Sequence, residues 1–336
     1  MDRTSTSIPP ISVVIPAWNA SSTIERAIRS TLGDLDDVEC IVVDDGSTDD
    51  TAAKVASLQD KRIRLVRQEH AGVAAAANRA TREARHPLIA RMDADDFSHP
   101  NRLADQRQML LEARLDVAGG AVRIVDEEGV SAQRMARYER WLNSLTTHEA
   151  MFANRFVESP VVNPTALARR EVFELGYREG PFPEDYDLWL RAFQTGCQFG
   201  KLDTPVLDWT DGSSRLTRTS DRYTFEAFDR SRREHLLAGP LQGQPKVNLW
   251  GAGQTGKPWL RWLLTTTHAV DFVIDVAPGK IGKKIQDTAV ISPDELPPSN
   301  GVPLLIAVGA EGARELIEPV LLERGYRIGG DAWFVA

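Results

Sequence analysis

Leu88-Ile-Ala-Arg-Met-Asp-Ala-Asp-Asp-Phe-Ser-His-Pro-Asn-Arg-Leu103 is the stretch on which the reading of this chain turns. Its apolar start, Leu88, Ile89 and Ala90, predicts a buried strand. That strand ends in three carboxylates, Asp93, Asp95 and Asp96, ahead of a proline and a helix-like segment. Negative charge gathered at the end of a buried strand is costly unless a cation neutralises it. Hard oxygen ligands suit Mg2+ or Mn2+, ions that bridge carboxylates to substrate phosphates. Asp93-Ala94-Asp95 therefore reads as a metal–diphosphate site for a nucleotide sugar, the plainer alternative being an acidic helix cap.

Upstream, Ile11-Ser-Val-Val-Ile15 is a β-branched run ended by Pro16, hence a second buried strand. Ser21, Ser22 and Thr23 offer caps for a helix to about Leu32, with Ile24, Ala27, Ile28 and Leu32 on one face. The strand Glu39–Val43 again ends in carboxylates, Asp44 and Asp45, and a turn at Gly46–Asp49 leads into a helix through Leu58. Ile63–Val66 is a further strand and Ala71–Ala84 an alanine-rich helix. Strands alternating with helices imply an α/β fold with a doubly wound, mostly parallel sheet. Such sheets bind ligands at the carboxyl ends of their strands. Asp44, Asp45, Asp93 and Asp95 all fall there, on one rim.

Downstream, a strand or hairpin is expected within Asp116–Val130, then a mostly helical stretch to Phe156. Pro183-Glu-Asp-Tyr-Asp-Leu-Trp-Leu-Arg191 reads as a helix start with Leu188, Leu190 and Phe193 inward and Glu184 and Asp185 capping. A carboxylate at a helix start in a cleft is well placed as a general base. From Asp208 to Gly239 the composition turns polar, with six arginines between Arg215 and Arg233. They read as a solvated helix face, or as a lid whose Arg215 or Arg218 meets a diphosphate. Lys246–Trp250 then predicts a strand running into Gly251-Ala-Gly253-Gln-Thr-Gly256 and a helix. The next strand ends at Asp275. That is a nucleotide-loop pattern in its proper context, although the glycines also suit tight helix–strand packing. The organisation expected is a disordered 1–8, a catalytic domain 9–225, a helical linker 226–244 and a small Rossmann-like α/β domain 245–336.

Composition narrows the class. Of 336 residues, 42% are hydrophobic and 26% charged, ordinary for a globular chain with a real core. A net charge of −8 argues against non-specific binding to nucleic acid or anionic membranes. Two distant cysteines, Cys40 and Cys197, give neither a disulfide framework nor a zinc pattern. With no signal-peptide core and no bilayer-length apolar run, the expectation is a cytoplasmic protein without a transmembrane segment.

Together these motifs resemble a family 2 glycosyltransferase of the GT-A fold, over roughly Ile11 to Tyr223. VVIPAWNA is similar to the family's first strand and loop, which places Pro16, Ala17 and Trp18 at the donor, with Trp18 against the base. VVDDGSTDDT resembles the second-strand signature, in which Asp45 contacts the uracil beside Asp44. ARMDADD resembles the DxD motif, so Arg91, Asp93 and Asp95 would hold the donor, with Asp95 and Asp93 at the Mn2+ or Mg2+. PEDYDLWLR resembles the ED motif, with Asp185 as base and Glu184 and Trp189 near the acceptor. Asn163, before Pro164 and Thr165, stands where many relatives carry His. The C-terminal part resembles the domain appended to the β-1,3-N-acetylglucosaminyltransferase-like group, some of which act on queuosine in tRNA. It would make Gly251, Gly253, Gly256 and Asp275 a second nucleotide site.

The implied function is metal-dependent, inverting transfer from a UDP-sugar to a hydroxyl of a saccharide or modified nucleoside, with a homodimer as the assembly to test. The competing readings are a non-catalytic nucleotide-sugar sensor and an NAD(P)-linked oxidoreductase centred on Gly251–Asp275.

Overall fold

The computed structural model describes residues 8–33, 35–212 and 215–336. Of the disordered segment expected over residues 1–8, residues 1–7 lie outside them. The chain divides into two compact units, one of residues 1–148 and 160–228, the other of 149–159 and 229–336.

The elements reaching the end of the first unit are, in order, β1 (Ile11–Ala17), α1 (Ile24–Leu32), β2 (Val38–Asp45), α2 (Thr51–Ser57), β3 (Ile63–Gln68), α3 (Val73–Glu83), β4 (Leu88–Arg91), β5 (Phe97–Ser98), α4 (Arg102–Glu112), β6 (Val117–Val125), α5 (Ala136–Ser144), α6 (His148–Asn154), β7 (Leu167–Arg169), α7 (Arg170–Phe173), α8 (Glu184–Gln194), β8 (Phe199–Thr210), α9 (Leu216–Thr219) and α10 (Phe225–Ala238). One sheet runs β3-β2-β1-β4-β7-β6-β8-β5. β3, β2, β1 and β4 are mutually parallel, with Val14 opposite Arg91 and Ala17 opposite Asp44. Their carboxyl ends therefore share one edge, as the acidic strand ends required. β7 pairs antiparallel with both β4 and β6, while β6 and β8 run parallel.

β1 is buried along its whole length, which is why it reads as an unbroken apolar run rather than an alternating one. Ile11, Val13, Ile15 and Ala17 join Ile24, Ala27, Ile28 and Leu32 of α1 in one apolar cluster with Leu103 and Leu110 of α4. α3 packs against β1 and β2. Between β6 and β8 the register slips at Gly120–Ala121. A Cβ on Gly120 would sit 2.2 Å from Val206 Cγ2, so only glycine lets β8 come this close.

The second unit carries β9 (Asn248–Trp250), α11 (Gly256–Leu263), β10 (Phe272–Ile274), β11 (Lys284–Ile285), β12 (Thr288–Ile291), β13 (Leu304–Ile306), α12 (Ala313–Glu323) and β14 (Ala332–Phe334). Its sheet runs β11-β12-β10-β9-β13-β14, parallel except at β11. Strand order reverses on either side of β9, so the turn after β9 sits at the switch point. Among the described residues no helix is long and apolar enough to cross a membrane.

Within the arginine-rich stretch Arg218 and Arg230 are exposed, as a solvated face requires, but Arg232 departs from that expectation. Arg232 is 5% exposed and donates to Asp229 Oδ1 at 2.9 Å and to the Val157 carbonyl. Its charge is matched inside the second unit rather than left in water.

Candidate active site

Three strand ends build the site. After β4 the chain turns sharply, and carboxylate oxygens of Asp93, Asp95 and Asp96 come within 4.8 Å of one another. Two buried arginines hold this turn from below. Arg91, 2% exposed, donates to Asp93 Oδ1 at 2.6 Å and to the Met92 carbonyl. Arg102, equally buried, donates to the Arg91 carbonyl at 2.8 Å. From the side, Arg26 and the Thr210 hydroxyl both donate to the Asp95 carbonyl, at 2.8 and 2.9 Å.

The carboxylates strain against one another. Burial first, then the neighbouring Asp93, push the Asp95 carboxyl up to about 6, against the opposing pull of Arg215 and Arg91. Asp96 is raised well above its ordinary value by burial and then by Asp95 and Asp93. One Asp96 oxygen accepts the Thr210 amide at 2.8 Å, while the other is buried without a hydrogen-bond partner. A buried unpartnered carboxylate oxygen beside two further carboxylates, all hard donors, fits a divalent cation.

The β1 and β2 ends are stitched together. The Asn19 amide donates to Ser47 Oγ at 2.9 Å, and Asn19 Oδ1 accepts the Thr48 amide at 2.9 Å. Pro16 and Ala17 are buried strand residues, whereas Trp18 is 52% exposed and stacks on His70 at 4.7 Å between ring centroids. Asp44 accepts the Ser47 amide at 3.2 Å, which closes the turn. Asp45 is buried and accepts from Gln68 Nε2 at 2.6 Å and from the Ala71 and Gly72 amides at 3.0 and 2.8 Å. It thereby anchors the start of α3, and the His70 ring lies 3.0 Å away.

On the other flank, α8 begins after Pro183, which is its N-cap, without a side-chain cap bond. The capping expected of Glu184 is not what occurs. Its carboxylate turns aside and accepts the Tyr223 hydroxyl at 2.7 and 2.8 Å. Asp185 lies half-buried in the same first turn and accepts the Tyr186 amide at 2.8 Å. Trp189 belongs to the core: it is fully buried, edge-on to Phe173 and Phe199, and not open to an acceptor. Asn163, 8% exposed, accepts the Tyr177 hydroxyl at 3.0 Å.

Arg91 joins the two flanks. Burial works against its charge, but Asp93, then Tyr177 and Glu184, outweigh it and hold the guanidinium above its ordinary range. Tyr177 in turn feels Arg91 and Asp185 once burial has raised it. Asp93 at the end of β4 and Glu184 at the start of α8 thus both act on one buried guanidinium. Arg215 stacks on Trp209 at 4.2 Å, while Arg218 donates to both oxygens of Asp211 at 2.8 Å.

In the second unit, Gly251 adopts φ +126°, and a Cβ there would meet the Ala307 carbonyl at 2.5 Å. A Cβ on Gly256 would lie 1.8 Å from the Gly251 oxygen, whereas one on Gly253 would meet nothing within 4 Å. Asp275 accepts the Ala252 and Ala277 amides at 3.0 and 2.8 Å and Lys280 Nζ at 2.8 Å. Although partial burial opposes it, this set holds the Asp275 carboxyl below its ordinary range. His70, Tyr177, Tyr223 and Arg26 escape sequence reasoning because each meets the site from a distant segment, and Arg102 because nothing local shows that its side chain turns back to the Arg91 carbonyl.

Comparison with known proteins agrees with this architecture. Residues 12–176 match the family described as glycosyl transferase family 2. The chain is 32% identical over 202 residues to the succinoglycan biosynthesis protein ExoU of Rhizobium meliloti (strain 1021), covering 56% of this chain. That match spans 58% of ExoU's length. It is 30% identical over 185 residues to the UDP-Glc:alpha-D-GlcNAc-diphosphoundecaprenol beta-1,3-glucosyltransferase WfgD of Escherichia coli, covering 54% of this chain and 68% of WfgD. The chain belongs to glycosyl transferase family 2, a family of glycosyltransferases. Its fold is GT-A-like: S. aureus TarS 1-349, crystallised with UDP-GlcNAc, superposes with a TM-score of 0.56 at 21% identity, covering 69% of this chain and 67% of that one.

Proposed function

We propose that this protein transfers a sugar from a UDP-sugar donor to an acceptor hydroxyl, with inversion at the anomeric carbon and with the help of Mn2+ or Mg2+. The observation that carries the reading is the convergence of Asp93, Asp95 and Asp96 around a buried, unpartnered carboxylate oxygen on the edge shared by β1, β2 and β4. Asp95 and Asp93 would hold the cation, with Asp96 behind them. A divalent cation bound there supplies neutralisation of the charge on a departing nucleoside diphosphate.

The chain's own groups do the rest. Pro16, Ala17, the Trp18–His70 stack, Asp44 and Asp45 form the wall for the nucleoside. Arg91 fixes the aim of Asp93. Asp185, at the start of α8, takes the proton from the acceptor hydroxyl, and that oxygen then bonds to the anomeric carbon as the donor's phosphate oxygen leaves from the opposite face. A single displacement inverts the configuration. The family names attached to polysaccharide formation favour a saccharide hydroxyl as acceptor, a modified nucleoside being the other class considered. We read the second unit as a Rossmann-like domain from its parallel strand order and the Gly251–Gly256 turn after β9.

A thermal-shift panel of UDP-, GDP- and dTDP-sugars and NADPH, each with and without Mn2+, tests the donor, because a ligand of the native state raises apparent stability. A rise that needs both Mn2+ and a UDP-sugar is expected. A rise with NADPH and with no nucleotide sugar would overturn the reading.

A further inference from the structure

Glu184 and Tyr223 stand outside the chemistry just described, yet they form a short polar contact between α8 and the segment after β8. Glu184 is 4% exposed, and both its oxygens accept the Tyr223 hydroxyl. Tyr223 ends a short 3-10 turn, Asp221–Tyr223, capped by the Ser220 hydroxyl. Burial raises the Glu184 carboxyl, while Tyr223, Arg222 and Arg91 pull it back. A buried carboxylate held by one phenol is a directional anchor, because breaking the pair leaves a desolvated acceptor.

The segment that leads to this anchor is fastened at its other end too. Asp211 accepts from Arg218 at 2.8 Å and from Arg134 at 2.7 Å. Between the two fastenings lies Arg215, stacked on Trp209, whose neighbour Thr210 donates to the Asp95 carbonyl and to an Asp96 oxygen. The residue after Glu184 is Asp185. The same contact therefore fixes the base-bearing turn of α8 and the approach of Arg215 to the acidic donor end.

We propose that the Tyr223–Glu184 pair is a positioning tether that couples Arg215, poised for the donor diphosphate, to the turn carrying Asp185. This rests on the donor-site reading given above. Tyr223 touches no reacting atom and acts through Arg215 and α8. Without the tether, Arg215 loses one of the two fastenings that set its height above the carboxylates, so the diphosphate is gripped less well.

The test uses the full chain in two arms. In the first, without ligand, Tyr223→Phe is digested with trypsin under native conditions and cleavage after Arg215, Arg218 and Arg222 is followed. At least a fivefold faster cleavage at these three sites than in the parent is expected, while cleavage elsewhere in the chain rises by less. In the second, UDP with Mn2+ is titrated calorimetrically. Tyr223→Phe and Arg215→Ala are each expected to weaken binding about tenfold, and the double variant no further. Glu184→Gln, whose amide oxygen still accepts the phenol, should retain most of the affinity and serves as a second variant if Tyr223→Phe does not fold. Unchanged cleavage in Tyr223→Phe, or additive losses in the double variant, would overturn the tether. A parent protein that binds no UDP with Mn2+ would overturn the donor reading, and the tether's role in gripping the donor with it, while the cleavage rates still report on the contact.

Discussion

Asp185 carries the heaviest demand of any single side chain. Replacing it with Asn keeps the size and the helix position but removes the ability to take up a proton. General-base contributions run at about 10^2–10^4 in rate. Asp185→Asn should therefore lose transfer by at least about a hundredfold while UDP binding stays within about twofold, read from initial rates beside a donor titration. Retained transfer would remove Asp185 from the role. The acidic strand ends were legible because charge interrupting an apolar run is a local pattern. Trp189 misled for the converse reason: it sits in the same short motif as Asp185, but helix periodicity turns it into the core against Phe173 and Phe199. Glu184 misled because an acid in a first turn usually serves the helix amides, whereas here a phenol 39 residues away takes it. Nothing local in the sequence encodes that partner.

At the level of elements, the alternation of strand and helix from Ile11 to Arg91 was readable because each strand is buried and so apolar along its length. The return strand β7 is legible in Ser159–Gly180 as a Pro-bounded strand leading into a short helix, but nothing local shows that its three residues pair with β4 on one side and β6 on the other. In the β9–α11 turn the three glycines differ in what they do. Gly256→Ala would force a Cβ onto the Gly251 oxygen, 1.8 Å away, backbone against backbone. Overpacking of this kind costs about 1–3 kcal/mol. Gly253→Ala meets nothing within 4 Å and should leave stability unchanged. Urea unfolding of the two variants checks this, and equal midpoints would refute the packing role given to Gly256.

For the molecule as a whole, the acidic cluster makes stability depend on pH and on metal together. The Asp95 carboxyl is raised in the fold, from 3.8 to about 6, and Asp96 is raised too. A carboxyl raised on folding lends stability below its unfolded value, and that stability is lost as pH climbs through the folded value. The metal-free protein should thus lose this contribution between about pH 4 and pH 6. Mn2+, which competes with those protons, should stabilise more at pH 7.5 than at pH 5. Melting curves in EDTA and in Mn2+ across this range test the linkage, and an unaltered pH profile in Asp96→Asn would contradict it. The composition had already set aside a large nucleic-acid footprint, but it could not foretell that residues 149–159 join the second unit, because that depends on packing achieved only in the folded chain.

The most direct measurement is calorimetric titration of UDP into the protein with Mn2+, with EDTA, and with Mn2+ in Asp95→Ala. The account expects binding in the first case and at least a tenfold loss in the other two. Equal binding in all three would contradict it, by showing that the donor is held without the carboxylates at the end of β4.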